Sequence, residues 1–341
     1  MVDACDEWSP LREVVVGTAY GAVFPAEDRR MVEATMPAEH WDAFRPGHAF
    51  PPDVVLEADR ELQGLAELLE RMGCLVRRPR RVPWAGLAGY CAAMPRDALL
   101  VMGDRVIEAP MAWRSRRHEL LAYWPLVQEW RRTGARWMPS GVDLDVNPVR
   151  EGPVIEDSWV IGEARPAWDA ADFLRLGPRT VVGQLSHVTN RSGVEHLRQR
   201  LGPDVAVHLL RPRDRHAMHI DATLCPLRER LALYNPERID PGDLARTPLA
   251  DWELVPAPWP DPAPGPPLYM TSAWLNMNLL VVDDRHVVVE AEDVKVQELL
   301  ASLGFTPLPC PFRHVQALGG SFHCATLDVR RDRHRTGRLS G

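Results

Sequence analysis

The 341-residue chain reads as an α/β protein in which five similar units close into a ring around an axis, strands inside and helices outside. Two patterns predict it. First, an amphipathic helix ends on glycine and an apolar strand follows at once, in LLERMGCLVRRP, EWRRTGARWMPS, LRQRLGPDVAVHLL and LLASLGFTPLPCP. Second, paired apolar strands with hairpin turns precede those helices, as VMGDRV in ALLVMGDRVIEAP and VDDRHV in NLLVVDDRHVVVE. The competing fold, an open doubly wound sheet, lacks support. No GxGxxG or P-loop follows any strand, and hairpins are too frequent for a purely parallel sheet.

Each element has a local reason. Gly73, Gly134, Gly202 and Gly304 sit where a helix needs a left-handed residue just past its end, often with Arg in the last turn to suit the dipole. The gap between Gly202 and Gly304 leaves room for one more unit, and a weaker copy, PGDLARTPLADWELVPAP, fills it from Pro241. The run WELVPAPWPDPAPGPPLYM holds too many prolines for a central strand or a helix. It reads either as a stiff surface loop or as a connection that carries the next segment to the mouth of a site. Near the C-terminus, GGSFHCATLDVRR places Cys324 within a strand-like stretch.

Composition narrows the function. Apolar residues make up 45% and charged residues 26%, as in a globular protein. The whole chain, 1–341, is expected to be one domain. The net charge of −7, with no basic stripe, argues against nucleic acid. The longest apolar runs have strand length, which argues against a membrane span, and the acidic start MVDACDEWSP is no secretion signal. Six cysteines occur with no CxxC pair, so they read as reduced thiols in a cytoplasm rather than as disulfides or a zinc cage.

Three segments carry candidate chemistry. In AMHIDATLCPL, read as a strand, His219 and Asp221 share a face because side chains alternate. That face is either a polar sheet edge or part of a site, and no third His or Cys is spaced to complete a metal set. In RPAWDAADFLRLG, Asp169 and Asp172 are cap or turn residues, or site carboxylates. In YCAAMPRDALL, Asp97 opens a strand. On a ring, strand ends from different units converge on the axis, bringing together Cys324, His219 and the aspartates. A thiolate can then attack a planar cationic carbon while an imidazole moves protons and carboxylates hold the cation. A guanidinium fits, since its donors match carboxylates bidentately.

These motifs resemble the amidinotransferases of the arginine:glycine and arginine:inosamine-phosphate type. The likeness runs from EWSPLREVVVGTA through MPRD, IEAPMAWRSR, DAADFLRLG, MHIDAT, LYNPERID and SAWLNMNLLVVD to FHCATLDVRR. It implies a five-bladed α/β propeller of the pentein kind, with pseudo-five-fold symmetry. It implies Cys324 as nucleophile, His219 as general acid and base, and Asp169 as the residue that orients His219. Asp97 and Asp221 are then the clamps on the donor guanidinium. Arg238 is the partner of the donor carboxylate, and Ser272 another substrate contact. The implied partners are L-arginine and a small amine acceptor, with no metal or organic cofactor. Family members also form homodimers.

The resemblance implies transfer in two halves through an amidino-cysteine, releasing L-ornithine, in a biosynthetic pathway for a secondary metabolite. A deiminase-like or amidinohydrolase-like hydrolase is the alternative. The acceptor is left open, because some motifs look closer to the glycine-type enzymes and others to the aminocyclitol-type. The stretch LLRPRDRHAMHIDAT departs from both, and its Arg213, Arg215 and His216 are either acceptor contacts or a solvated loop. Ser321 stands where the family has glycine.

Overall fold

The computed structural model describes residues 1–36, 38–151, 158–261, 265–268, 270 and 273–332. It is a five-bladed α/β propeller. Its five sheets have three strands each, and every sheet has the same connectivity. A lead strand pairs antiparallel with a middle strand, and the middle strand pairs parallel with an outer one. A parallel step needs a crossover. The helix of each unit supplies it: Pro52–Arg71, Leu120–Arg132, Arg191–Leu201, Pro241–Leu244 and Val294–Ser302.

The expected helix–glycine–strand junctions are all present. Gly73, Gly134, Gly202 and Gly304 have φ of 84°, 100°, 78° and 85°. A Cβ at any of them meets nothing within 4 Å, so backbone conformation rather than space selects glycine there. The weak fifth copy is also real: the short helix Pro241–Leu244 leads to the outer strand Glu253–Pro256. VMGDRV makes the hairpin between Leu99–Met102 and Arg105–Glu108, with Gly103 at φ 60° in the turn.

The ring closes on its own ends. The last strand, Thr326–Arg331, leads the blade whose middle strand is Leu11–Val16 and whose outer strand is Leu75–Arg77. Chain start and chain end are therefore hydrogen-bonded together, which leaves the ring no open lead edge at this seam. Apolar faces of the strands, such as Val14, Val181, Val287 and Val329, are fully buried.

Each lead strand is preceded by one helical turn. These turns are Pro95–Ala98, Ala170–Asp172, Ile220–Ala222, Ala273–Met277 and, before Thr326, the turn through Phe322–Ala325. The repeat thus presents five turns to the axis: Asp97, Asp221 and Cys324 sit on three of them, and Asp169 and His219 stand immediately before two. Beneath these turns lies a buried ionic cluster. Arg175 and Arg96 reach both Glu7 and Asp328, and Arg331 closes onto Asp328 at 2.8 Å. Arg175 and Arg96 work against the burial of Glu7 and hold its carboxyl well below the usual range.

Candidate active site

Cys324 lies in a turn, two residues ahead of its strand, and not inside the strand. The residue is 2% exposed, and its sulfur has two close partners. The sulfur is 2.9 Å from Asp221 Oδ2 and 3.0 Å from Asn278 Nδ2. The approach is tight: a Cβ on Gly320 would come within 2.7 Å of the Cys324 Cβ and 2.6 Å of Met94 Sδ, so only glycine fits beside the thiol. Next to it, Ser321 is fully buried and its Oγ accepts from Gln316 Nε2 at 3.2 Å.

His219 corrects the strand reading of AMHIDATLCPL. It precedes the 3-10 turn Ile220–Ala222 and has φ 65° and ψ 130°. That is a strained backbone for a residue with a Cβ, costing about 1–3 kcal/mol. His219 and Asp221 do both face the site, but a tight turn brings them there rather than strand alternation. His219 Nε2 is 3.1 Å from Asp169 Oδ2, and its Nδ1 is 3.9 Å from Asp97 Oδ1. Burial works against a charge on the imidazole, yet Asp97 and Asp169 outweigh it and hold the pKa of His219 well above its ordinary value.

The two aspartates of DAAD divide their work. Asp172 is bound by Gln184 at 2.9 Å and by Ser186 and Thr189 at 2.6 Å each, which makes it a holder of the turn. Asp169 is left to face His219. Asp97, on the turn Pro95–Ala98, is joined at 2.9 Å by the guanidinium of Arg116, which also lies 3.5 Å from Asp169 and pairs with Glu119. Burial raises the pKa of Asp97, opposed by His219 and Arg116. Asp221 falls below its ordinary value because His323, His219 and the thiol overcome burial.

Asp97, Arg116 and His219 line one small cavity together with the apolar walls Met94, Trp113, Met218 and Met270. Met270 ends the proline-rich stretch, so that connection does reach the site. Arg238 lies at the edge of this region, 12% exposed, and pairs with Asp214 at 3.0 Å. Ser272 and Tyr269 lie outside the described residues. Of the departing loop, Arg213 is exposed and pairs with Asp240, His216 bonds the carbonyl of Ala34 at 2.9 Å, and the Arg215 carbonyl bonds His187 at 2.7 Å.

Among the described residues, Asp97, His219 and Cys324 are the group whose ligand-type atoms come together, all within 4.8 Å of one another. This trio can hold a thiophilic divalent ion, and it is equally a nucleophile, an acid–base and a carboxylate. It is assembled from three blades, which is why sequence spacing could not show the third member.

Similarity to known proteins identifies the family. No family model matches the chain. The L-arginine:L-lysine amidinotransferase of Pseudomonas savastanoi pv. phaseolicola is 40% identical over 343 residues, covering 95% of this chain and 93% of that protein. The chain belongs to the amidinotransferase family. The mitochondrial glycine amidinotransferase of Danio rerio is 38% identical, covering 97% of this chain and 83% of its own. Two solved amidinotransferases superpose over 97% of both chains. They are SxtG of the saxitoxin biosynthetic pathway from Microseira wollei (TM-score 0.87, 36% identity) and the inosamine-phosphate amidinotransferase StrB1 from Streptomyces griseus (TM-score 0.84, 34% identity). A dimethylarginine dimethylaminohydrolase at 15% identity and TM-score 0.59 shares the fold alone. The protein is thus an amidinotransferase-family enzyme with the pentein architecture.

Four residues of this region had no role assigned from the sequence: Asn278, His323, Arg116 and Glu7. Asn278 had a signal. It stands two residues ahead of its lead strand, as do Asp97 and Cys324. His323 joins the site to the ionic cluster, 3.1 Å from Asp221 and 3.4 Å from Glu7. Among the described residues no helix is long and apolar enough to cross a membrane.

Proposed function

We propose that the chain transfers the amidino group of L-arginine to an amine through an amidino-thioether on Cys324, with release of L-ornithine. The observation that carries this reading is a set of buried carboxylates around a thiol. Oδ1 of Asp97 and Oδ1 of Asp169 are buried with no hydrogen-bond partner, and Asp221 stands against the sulfur. Buried acceptors in want of donors are costly. A guanidinium brings planar donors for Asp97 and Asp221 and sets its carbon over Cys324.

In the first half-reaction the bound guanidinium offsets the carboxylates, the thiol proton is released to solvent, and a bond forms between Sγ and the guanidino carbon; the thiolate left after the second half takes a proton back. The bond from that carbon to the side-chain nitrogen of arginine breaks, and protonated His219 gives its proton to the departing amine. In the second half, the acceptor nitrogen bonds the same carbon, His219 takes a proton from it, and the carbon–sulfur bond breaks. Asp169 keeps the imidazole oriented throughout. Arg238 would pair with the donor carboxylate by exchanging Asp214 for it, and Ser272 is retained as a further contact. The walls Met94, Trp113, Met218 and Met270 favour transfer over hydrolysis by limiting water at the intermediate.

The site is complete within one chain acting as a single domain, and no metal enters any step. That one solved relative belongs to the saxitoxin biosynthetic pathway supports a biosynthetic role, and the reading places that role in the cytoplasm. Intact-mass measurement after mixing with arginine tests the reading. An amidino adduct on Cys324 with matching ornithine release is expected. Absence of the adduct, or release of citrulline or urea without acceptor, would overturn it. A screen of amino acids, aminocyclitols, amino sugars and diamines then identifies the acceptor.

A further inference from the structure

We infer that Asn278 is a further catalytic residue of the transfer, an amide that grips the sulfur of Cys324 and donates to it in its thiolate state. Asn278 ends the turn Ala273–Met277 on the blade next to that of Cys324 and is 1% exposed. Its carbonyl oxygen accepts the backbone N–H of His323 at 2.8 Å and of Cys324 at 3.2 Å. A backbone N–H can meet only an acceptor, so these two bonds fix which end of the amide is which. The NH₂ group is thereby turned onto Sγ, at 3.0 Å.

His219, which favours the thiolate, and Asp97, which opposes it, also lie within 4.8 Å of the sulfur, and its two closest partners are unlike. Asp221 Oδ2, at 2.9 Å, can only accept from the thiol when ionised, and the Asn278 NH₂ can only donate to it. The S–H proton points at Asp221. Once that proton is gone, the contact with Asp221 becomes repulsive, whereas the contact with Asn278 becomes a charge-assisted hydrogen bond. Asn278 thus favours the anionic sulfur, which attacks in one half-reaction and leaves in the other. The same amide also holds the backbone of the turn, so the sulfur and its donor move as one unit.

The inference rests on Cys324 being the nucleophile, and the test separates the two claims. Asn278→Asp keeps oxygen for both backbone N–H groups but replaces the donor on sulfur with an acceptor. Alkylation of Cys324 by iodoacetamide, followed by intact mass across pH with Cys324→Ser as blank, should show a profile displaced to higher pH. At neutral pH the rate should fall about tenfold or more, the size of one hydrogen bond to an ionised group. The rate of ornithine release should fall with it, while KM for arginine holds. Asn278→Ala, which removes the donor and adds no charge, should show a smaller displacement in the same direction; a residue that only braced the turn would leave the N278A profile on that of the unaltered protein, and that outcome overturns the inference. If N278D does not fold, N278A carries the test. An unmoved profile with the arginine adduct still forming on Cys324 defeats Asn278 alone; no adduct in the unaltered protein defeats both claims.

Discussion

The sulfur of Cys324 and Oδ2 of Asp221 are 2.9 Å apart. A thiol held against a buried carboxylate keeps its proton. Burial, then Asp221 and Asp97, push the Cys324 pKa up, and His219 opposes them. The same carboxylates suit an arriving guanidinium. Its positive charge offsets them and removes the reason for the sulfur to stay protonated, so on this reading the substrate switches on its own nucleophile.

Asp221→Asn therefore has two opposite effects. Without arginine, alkylation of Cys324 at neutral pH should speed up, because one carboxylate no longer opposes the thiolate. With arginine, ornithine release should fall by about 10²-fold or more, through loss of a charge-assisted clamp and of substrate orientation. Both are read on one preparation, by intact mass and by ornithine assay. Slower alkylation in the variant would rule out Asp221 as the group that holds the thiol proton.

Asp169→Asn tests the acid–base assignment. Asp169 accepts from His219 Nε2 and, with Asp97, raises the pKa of the imidazole against its burial. The departing amine needs protonated His219. Removing a raising group lowers the folded pKa, so the basic limb of kcat/KM against pH should move to lower pH. The rate constant kcat should fall by about 10²–10⁴-fold. A parallel profile with an unmoved limb would place Asp169 outside the relay.

The ring was legible in the sequence because its cause is local. A glycine after each helix needs only the backbone around Gly73 or Gly304. Even the poor fifth copy at Pro241 followed from spacing. The seam was not legible, since the pairing of Leu11–Val16 with Thr326–Arg331 depends on closure of the whole ring. Cys324, His219, Asp97, Asp169 and Asp221 were found as residue types at strand ends and through the family likeness. How they meet was misjudged at His219, where a left-handed backbone replaces a strand. Arg116, His323 and Glu7 were given no role because theirs lies in ion pairs between distant segments, such as Arg175 to Glu7, that leave no periodic trace. Asn278 was visible by its offset from the lead strand, but an amide draws less notice than a carboxylate.

Chelation separates the two chemistries open to the trio of Asp97, His219 and Cys324. The transfer needs sulfur with a free lone pair, whereas a bound thiophilic ion would occupy it. Activity should survive dialysis against EDTA, and added zinc should inhibit in competition with adduct formation. Loss of activity on chelation with recovery on zinc return would assign the three residues to a metal instead.

Glu7→Gln probes the ionic cluster beneath the site. Glu7 accepts from Arg175 at 2.7 and 2.8 Å and from Arg96 at 3.2 Å, all of them buried. Breaking one partner of such a cluster leaves guanidinium charge uncompensated and costs about 3–5 kcal/mol. Denaturant unfolding at neutral pH should show that loss. The sign with pH follows from the carboxyl, which Arg175 and Arg96 hold well below its ordinary value of 4.5 despite burial. Its stabilisation is complete above the unfolded value and fades as pH falls through the folded one. The gap between the unaltered protein and E7Q should therefore be widest near neutrality and narrow below about pH 4.5. Because His323 spans Glu7 and Asp221, the variant should also loosen Asp221 and shift the Cys324 alkylation profile. Equal stability of the two proteins at neutral pH would mean that the arginines find compensation elsewhere in the ring.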